Sequence, residues 1–217
     1  MTDTQPDNRT SPPNTLSRSR LMAILRADSS DYIATTALTL IEAGVTCLEV
    51  TLTTPGAIAA IAELTASCFG EVSFGIGSVL TAAQVYDAAN SGARFVVSPA
   101  VRPEVITECE RLDLACFPGA YTPTEIVTAW DLGASAVKVF PAGTGGPAHI
   151  RQIHAPMPSL PMIPTGGIAL EDIRAYLSAG AYAVALGSSL IQDALTGGDL
   201  TMLSHRARTA LNHCEML

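Results

Sequence analysis

Four times along the chain, a glycine placed to end a helix is followed by a short apolar run. The segments are Ala43-Gly-Val-Thr-Cys-Leu-Glu-Val50, Ser91-Gly-Ala-Arg-Phe-Val-Val97, Leu132-Gly-Ala-Ser-Ala-Val-Lys-Val139 and Ala179-Gly-Ala-Tyr-Ala-Val-Ala-Leu186. Their glycines lie 48, 41 and 47 residues apart, room each time for two strand–helix units. Four such doublets make eight units. That count favours a closed (β/α)8 TIM barrel, an α/β fold of one domain, over an open doubly wound sheet.

The rest of the pattern agrees. Apolar runs at 21–25, 46–52, 72–76, 94–98, 114–117, 135–140, 161–164 and 182–187 read as strands. Helical patterns cover 30–43, 55–67, 81–91, 103–112, 123–132, 170–179 and 199–214, with a weaker one at 146–154. Strands alternating with helices call for parallel pairing and right-handed crossovers. Thr54-Pro55 and Thr122-Pro123 each place an N-cap before a proline suited to the first helical position, and Glu125 completes a capping box with Thr122. Residues 1–18 are polar and proline-rich and read as a disordered tail, leaving 19–217 as the barrel.

Hydrophobic residues make up 48% of the chain and charged ones 15%, which suits a domain with much buried strand. A net charge of −8 weighs against nucleic acid or an anionic membrane surface as partner. A small anionic substrate is compatible, since helix N-termini and single arginines can bind it locally. The five cysteines form no C-x-x-C pair, and the four histidines show no metal spacing, so neither a disulfide framework nor a metal is expected. No apolar run reaches membrane-spanning length, and the N-terminus has no apolar signal core. These features point to the cytoplasm.

Lys138 is the only lysine in the chain; the other 11 basic residues are arginines. It stands between Val137 and Val139 in an apolar run. An ordinary lysine is protonated at neutral pH, but an ammonium buried without a partner tends to give up its proton, as a Schiff-base lysine must. The alternative is a strand-end lysine reaching out to solvent. Period-two alternation puts Glu49 and Thr51 on one face of their strand and Val50 and Leu52 on the other. If the valines face the helices, Glu49 and Lys138 both point inward, as an acid/base and nucleophile pair or as a structural ion pair.

In barrels the chemistry gathers at the C-terminal ends of the strands. Those ends carry Arg26, Gly75-Ile-Gly-Ser78, Phe117-Pro-Gly119, Pro164-Thr-Gly-Gly-Ile168 and Leu186-Gly-Ser-Ser-Leu190. Gly75 and Gly77 either leave room for a ligand or allow tight packing. The loops at 164–168 and 186–190 lie where barrels hold phosphate through backbone N–H groups. Gly143-Thr-Gly-Gly146 either shapes the rim of the site or is a plain loop.

Taken together, Leu48-Glu-Val-Thr-Leu52, Gly75-Ile-Gly-Ser-Val-Leu80, Phe117-Pro-Gly119, Lys138-Val-Phe-Pro-Ala142, Pro164-Thr-Gly-Gly-Ile168 and Gly187-Ser188 resemble the class I aldolases that cleave 2-keto-3-deoxy-6-phosphogluconate (KDPG) and 4-hydroxy-2-oxoglutarate (KHG). The similarity runs from about Leu21 to Leu190. It implies a homotrimeric barrel needing no cofactor, with Lys138 as the Schiff-base lysine and Glu49 as general acid/base. Pro118 and Phe140 would line the pyruvate pocket, Gly166, Gly167 and Ser188 would hold phosphate, and Gly187 would bind substrate. Thr165 resembles the KDPG enzymes, where relatives acting on the galactonate epimer tend to carry valine. Two positions depart from the pattern. Thr53 replaces an arginine that helps hold the substrate carboxylate, leaving that charge to Arg26. Gly75-Ile-Gly-Ser78 replaces Gly-Ala-Gly-Thr, keeping a hydroxyl at Ser78 but adding bulk beside it.

The resemblance therefore implies cleavage of KDPG to pyruvate and glyceraldehyde 3-phosphate. The nearest alternatives are an aldolase for KHG or for 2-keto-3-deoxy-6-phosphogalactonate. Phosphate-barrel decarboxylases surround their lysine with an Asp-x-Lys-x-x-Asp pattern, but Ala136 and Pro141 stand at those places here. A barrel that binds phosphorylated ligands without catalysis is the alternative from another class.

Overall fold

The computed structural model describes residues 9–68 and 71–215. Its strands are β1 (Leu21–Leu25), β2 (Cys47–Thr51), β3 (Ser73–Gly77), β4 (Phe95–Val97), β5 (Ala115–Phe117), β6 (Gly119–Ala120), β7 (Val137–Val139), β8 (Met162–Pro164) and β9 (Val184–Leu186). The α-helices are α1 (Asn14–Ser19), α2 (Ile33–Glu42), α3 (Ala57–Ser67), α4 (Ala82–Asn90), α5 (Pro103–Arg111), α6 (Pro123–Asp131), α7 (Ala142–His154), α8 (Ile173–Ser178), α9 (Ser188–Ile191) and α10 (Leu200–Glu215). All strand pairs are parallel. They form a curled six-stranded sheet in the order β5-β4-β3-β2-β1-β9 and a three-stranded sheet β6-β7-β8.

The expected run at 114–117 is continued past Pro118 by β6, so eight expected strands appear as nine segments. Pro118 has no N–H to give to a ladder. Its carbonyl still accepts the Lys138 N–H at 3.0 Å, and the Cys116 carbonyl accepts from Ser135 at 2.9 Å. On the other side, Thr165 bridges Ala185 and the Tyr182 N–H donates to the Met162 carbonyl at 2.9 Å.

Period-two alternation sorts the strands into two apolar clusters. Leu21, Ala23, Leu25, Leu48, Val50, Ile76, Val137, Val139 and Val184 pack against the helices. Met22, Cys47, Phe95, Val97, Phe117, Ala136, Ile163 and Ala185 form a second cluster on the inner face, where the Phe95 and Phe117 rings lie 5.4 Å apart. Val137 and Val139 therefore turn outward, as expected, and Lys138 shares the inner face with Ala136.

The four punctuating glycines, Gly44, Gly92, Gly133 and Gly180, all have φ between 83° and 103°. They end their helices in the left-handed region, which a side chain would strain. Thr122 and Glu125 form the expected capping box at α6. Thr54-Pro55 does not start a helix: α3 begins at Ala57 after Gly56, and the Thr54 hydroxyl accepts the Ala27 N–H at 3.1 Å instead. The weak pattern at 146–154 is the second part of α7, which opens at Ala142 and breaks at Gly146. No helix among the described residues is long and apolar enough to cross a membrane.

The expected tail, residues 1–18, divides. Residues 1–8 lie outside the described residues. From Asn14 the chain forms α1, and Leu16 is fully buried in the inner-face cluster. Thr15 donates to the Ser73 hydroxyl at 2.8 Å, fixing α1 to the start of β3. The reading of 9–18 as disordered is thus corrected: one leucine in a polar stretch anchors it. Leu16→Ala should cost about 2–5 kcal/mol. Thermal denaturation checks this, with roughly 2–4 °C lost per kcal/mol in a chain of this size.

Candidate active site

At the C-terminal ends of the strands lies a cavity of about 310 Å³. It brings together Arg26, Lys138, Phe140, Thr165, Gly166, Gly167, Gly187 and Ser188, eight of the twelve residues singled out from the sequence. Lys138 enters from β7. It is 7% exposed, and its Nζ lies 5.2 Å from the centroid of the Phe140 ring, close enough for a cation–π attraction. The snorkelling alternative is therefore set aside: the nitrogen end faces the cavity.

Glu49 is buried on the inner face of β2, flanked in register by Ile24 and Gly75. Its Oε2 has no hydrogen-bond partner among the described residues. Burial pushes its pKa above the ordinary carboxylate value, and the charges of Lys138 and then Arg26 pull it back. The net direction is upward, so the carboxyl holds its proton more tightly than a surface glutamate does. Its electrostatic partners are the two basic groups of the cavity wall.

Gly75 and Gly77 do not open space for a ligand. A Cβ on Gly77 would overlap the Glu49 carboxyl, and one on Gly75 would overlap the Phe95 ring. Tight packing is the reason for both glycines. Ile76, the bulk that departs from the family pattern, points outward into the helix-side cluster and does not reach the cavity.

The remaining predicted residues lie off the cavity wall. Ser78, at φ 62°, accepts a long hydrogen bond from Arg26 Nη2 at 3.5 Å. Thr53 is exposed, with its hydroxyl 2.9 Å from that of Thr51. Pro118 is buried between β5 and β6, and its carbonyl accepts the Lys138 N–H.

The glycine loop after β8 is pinned by the start of α7. Ala142 and Gly143 donate N–H groups to the carbonyls of Thr165 and Gly166 at 2.8 and 2.9 Å. A Cβ on Gly143 would come within 2.6 Å of the Gly167 carbonyl. Of Gly143-Thr-Gly-Gly146, it is Gly143 that packs against the rim of the site. Gly166 and Gly167 have φ of 84° and 71°, so glycine is required at both. Sequence reasoning missed Ile24, Ser189, Gln192 and Leu195, which also line the cavity. Three of these carry no motif, while Ser189 belongs to the glycine–serine loop at 186–190, next to Ser188.

The chain matches the family described as "Aldolase: KDPG and KHG aldolase" over residues 13–205. A 2-dehydro-3-deoxy-phosphogluconate aldolase of Haemophilus influenzae is 38% identical over 160 residues, 73% of this chain and 75% of its own. A probable 2-dehydro-3-deoxy-6-phosphogalactonate aldolase of Rhizobium meliloti is 35% identical over 181 residues, covering 83% of this chain and 85% of its own. The KDPG aldolase of Legionella pneumophila, solved with pyruvate captured at low pH as a covalent carbinolamine intermediate, superposes with a TM-score of 0.81 at 27% identity. That match covers 92% of this chain and 97% of the other. The chain belongs to the KDPG and KHG aldolase family.

Proposed function

We propose that this protein is a class I aldolase that cleaves KDPG to pyruvate and glyceraldehyde 3-phosphate through an imine on Lys138. The observation that carries this is a lysine on the wall of a cavity with a carboxyl, Glu49, buried on the same inner face. The amine of Lys138 attacks the C2 ketone, and the carbinolamine takes the Glu49 proton onto its hydroxyl and loses water, which gives an iminium and leaves Glu49 as a carboxylate. Glu49, directly or through a water, takes the C4 hydroxyl proton as the C3–C4 bond breaks. The electron pair flows into the iminium and leaves an enamine, and the aldehyde departs. Protonation at C3 and hydrolysis then release pyruvate and restore the amine.

Arg26 serves the substrate carboxylate in the absence of an arginine at position 53. The backbone N–H groups of Gly166, Gly167 and Gly187, with Ser188, hold the phosphate. Among the described residues that line the cavity there is no aspartate or glutamate, which suits a ligand that is anionic at both ends. Thr165 favours the gluconate epimer. The galactonate epimer stays as second reading because the Rhizobium meliloti relative carries that name.

The sheet segments read best as one closed (β/α)8 barrel. Support comes from hydrogen bonds joining β5 and β6 to β7, and from the Thr165–Ala185 bridge between the ends of β8 and β9. A homotrimer in the cytoplasm completes the reading, and five free cysteines accord with a reducing compartment.

Borohydride reduction in the presence of pyruvate should attach pyruvate to Lys138, the chain's only lysine, as read by peptide mass spectrometry. Lys138→Met should fold and lose aldol cleavage; substantial turnover in that variant would sink the proposal.

Glu49 also sets a pH dependence of stability. With its folded pKa raised, the folded state binds the Glu49 proton more tightly than the unfolded state does. Its contribution is therefore fully present below the unfolded carboxylate value and is lost as pH rises through the raised value. Glu49→Gln should accordingly raise Tm relative to the unsubstituted protein at pH 8. That advantage should shrink as pH falls toward the ordinary carboxylate range. Thermal melts across pH test it, and a pH-independent difference would contradict the burial argument.

A further inference from the structure

Four-residue α9 forms one side of the cavity and ends abruptly. Gln192 comes directly after it at φ 49° and ψ −120°, a combination few side-chain-bearing residues adopt. Gln192 lines the cavity one helical turn beyond Ser188, and its N–H donates to the Ser188 carbonyl at 2.9 Å. Strain of this kind persists only where the surroundings impose it, and it gathers at functional sites.

Two buried side chains impose it here. Arg206, on α10, is 8% exposed. Its Nε donates to the Leu190 carbonyl at 2.7 Å and its Nη2 to the Ile191 carbonyl at 3.2 Å. These are the two residues before Gln192, and their carbonyls are among those a helix end leaves without partners. Just beyond Gln192, the fully buried Thr36 donates its hydroxyl to the Ala194 carbonyl at 3.2 Å. The backbone is thus held on both sides of the strained residue. Asp199, whose carboxyl is lowered chiefly by its N–H contacts at the start of α10, also feels the Arg206 charge. The guanidinium itself is spent on main-chain carbonyls.

A buried arginine is a costly way to end a four-residue helix unless the position of the next residue matters. Gln192 offers two N–H donors at the glycine–serine end of the cavity. The geometry points to Gln192 as a specificity-determining residue that donates to the phosphoryl end of the substrate, with Arg206 as the positioning residue that holds it there. This rests on the aldolase reading above, with phosphate in the corner formed by Gly166, Gly167 and Ser188.

The test compares KDPG with its dephosphorylated counterpart, 2-keto-3-deoxygluconate, using the full chain. Gln192→Ala should raise KM for KDPG about tenfold, the effect of losing one hydrogen bond to a charged group, with a clearly smaller change for the dephosphorylated acid. Arg206→Met should show the same split without touching substrate, and Arg206→Lys should recover part of it. Gln192→Gly should lose the same discrimination while relieving the backbone, raising Tm by roughly 2–4 °C. Equal losses on both substrates in the Gln192 variants would overturn the inference. So would an Arg206→Met variant with lowered Tm and kcat but an unchanged preference for phosphate. Should Arg206→Met not fold, Arg206→Lys and Gln192→Gly decide the matter. Pyruvate trapping on the unsubstituted chain separates the two levels. No adduct would overturn the aldolase reading and this inference with it, whereas an adduct with unchanged discrimination in the variants would overturn only the role of Gln192 and Arg206.

Discussion

The inside of the curled sheet has almost no spare volume, and the site depends on that. Phe95 and Phe117 fill the space beneath it, Leu16 adds to the same cluster, and Glu49 takes room that exists only because residue 77 lacks a side chain. A carboxyl held this tightly has little contact with bulk solvent. Desolvation raises its pKa, and the remaining countercharge comes from Lys138 and Arg26. The proton affinity of Glu49 is therefore set by the packing of its neighbours, glycine included.

Much of this was legible because it is local. Strand alternation, the helix-ending glycines and the capping box at Thr122 each arise from the residues that carry them. So does the inward direction of Lys138, set by two valines turned the other way. Other features were hidden because distant contacts decide them. The composition of residues 9–18 speaks for disorder, yet Leu16 finds a cluster made by strands from the whole length of the chain. Thr54-Pro55 has the chemistry of a helix start, but the Thr54 hydroxyl is taken by Ala27 from another strand end. Ile76 looked like bulk beside the Ser78 hydroxyl until its register placed it against the helices.

The site divides the same way. Glycines and short polar residues at strand ends announce a ligand corner, and the cavity gathers most of them. Gln192 announces nothing, since no local rule puts a glutamine at positive φ. Its conformation is imposed by Arg206, 14 positions later, and Thr36, far earlier in the chain. Residues whose role is to hold another residue's backbone leave no motif of their own.

Charge obeys a related logic. The chain carries a net charge of −8, yet among the described residues the cavity wall presents Arg26 and Lys138 and no carboxylate. Overall charge opposes an anionic ligand only weakly, because at physiological ionic strength a surface charge is felt over about 8 Å. Attraction inside the cavity acts at shorter range and against less screening. The fixed loop at Gly166 and Gly167, tied to α7 by main-chain hydrogen bonds, adds N–H dipoles that need no reorganisation when a ligand arrives. An acidic protein can thus offer a site to an anionic ligand, because Arg26 and Lys138 are the charged groups among the described residues that line its cavity.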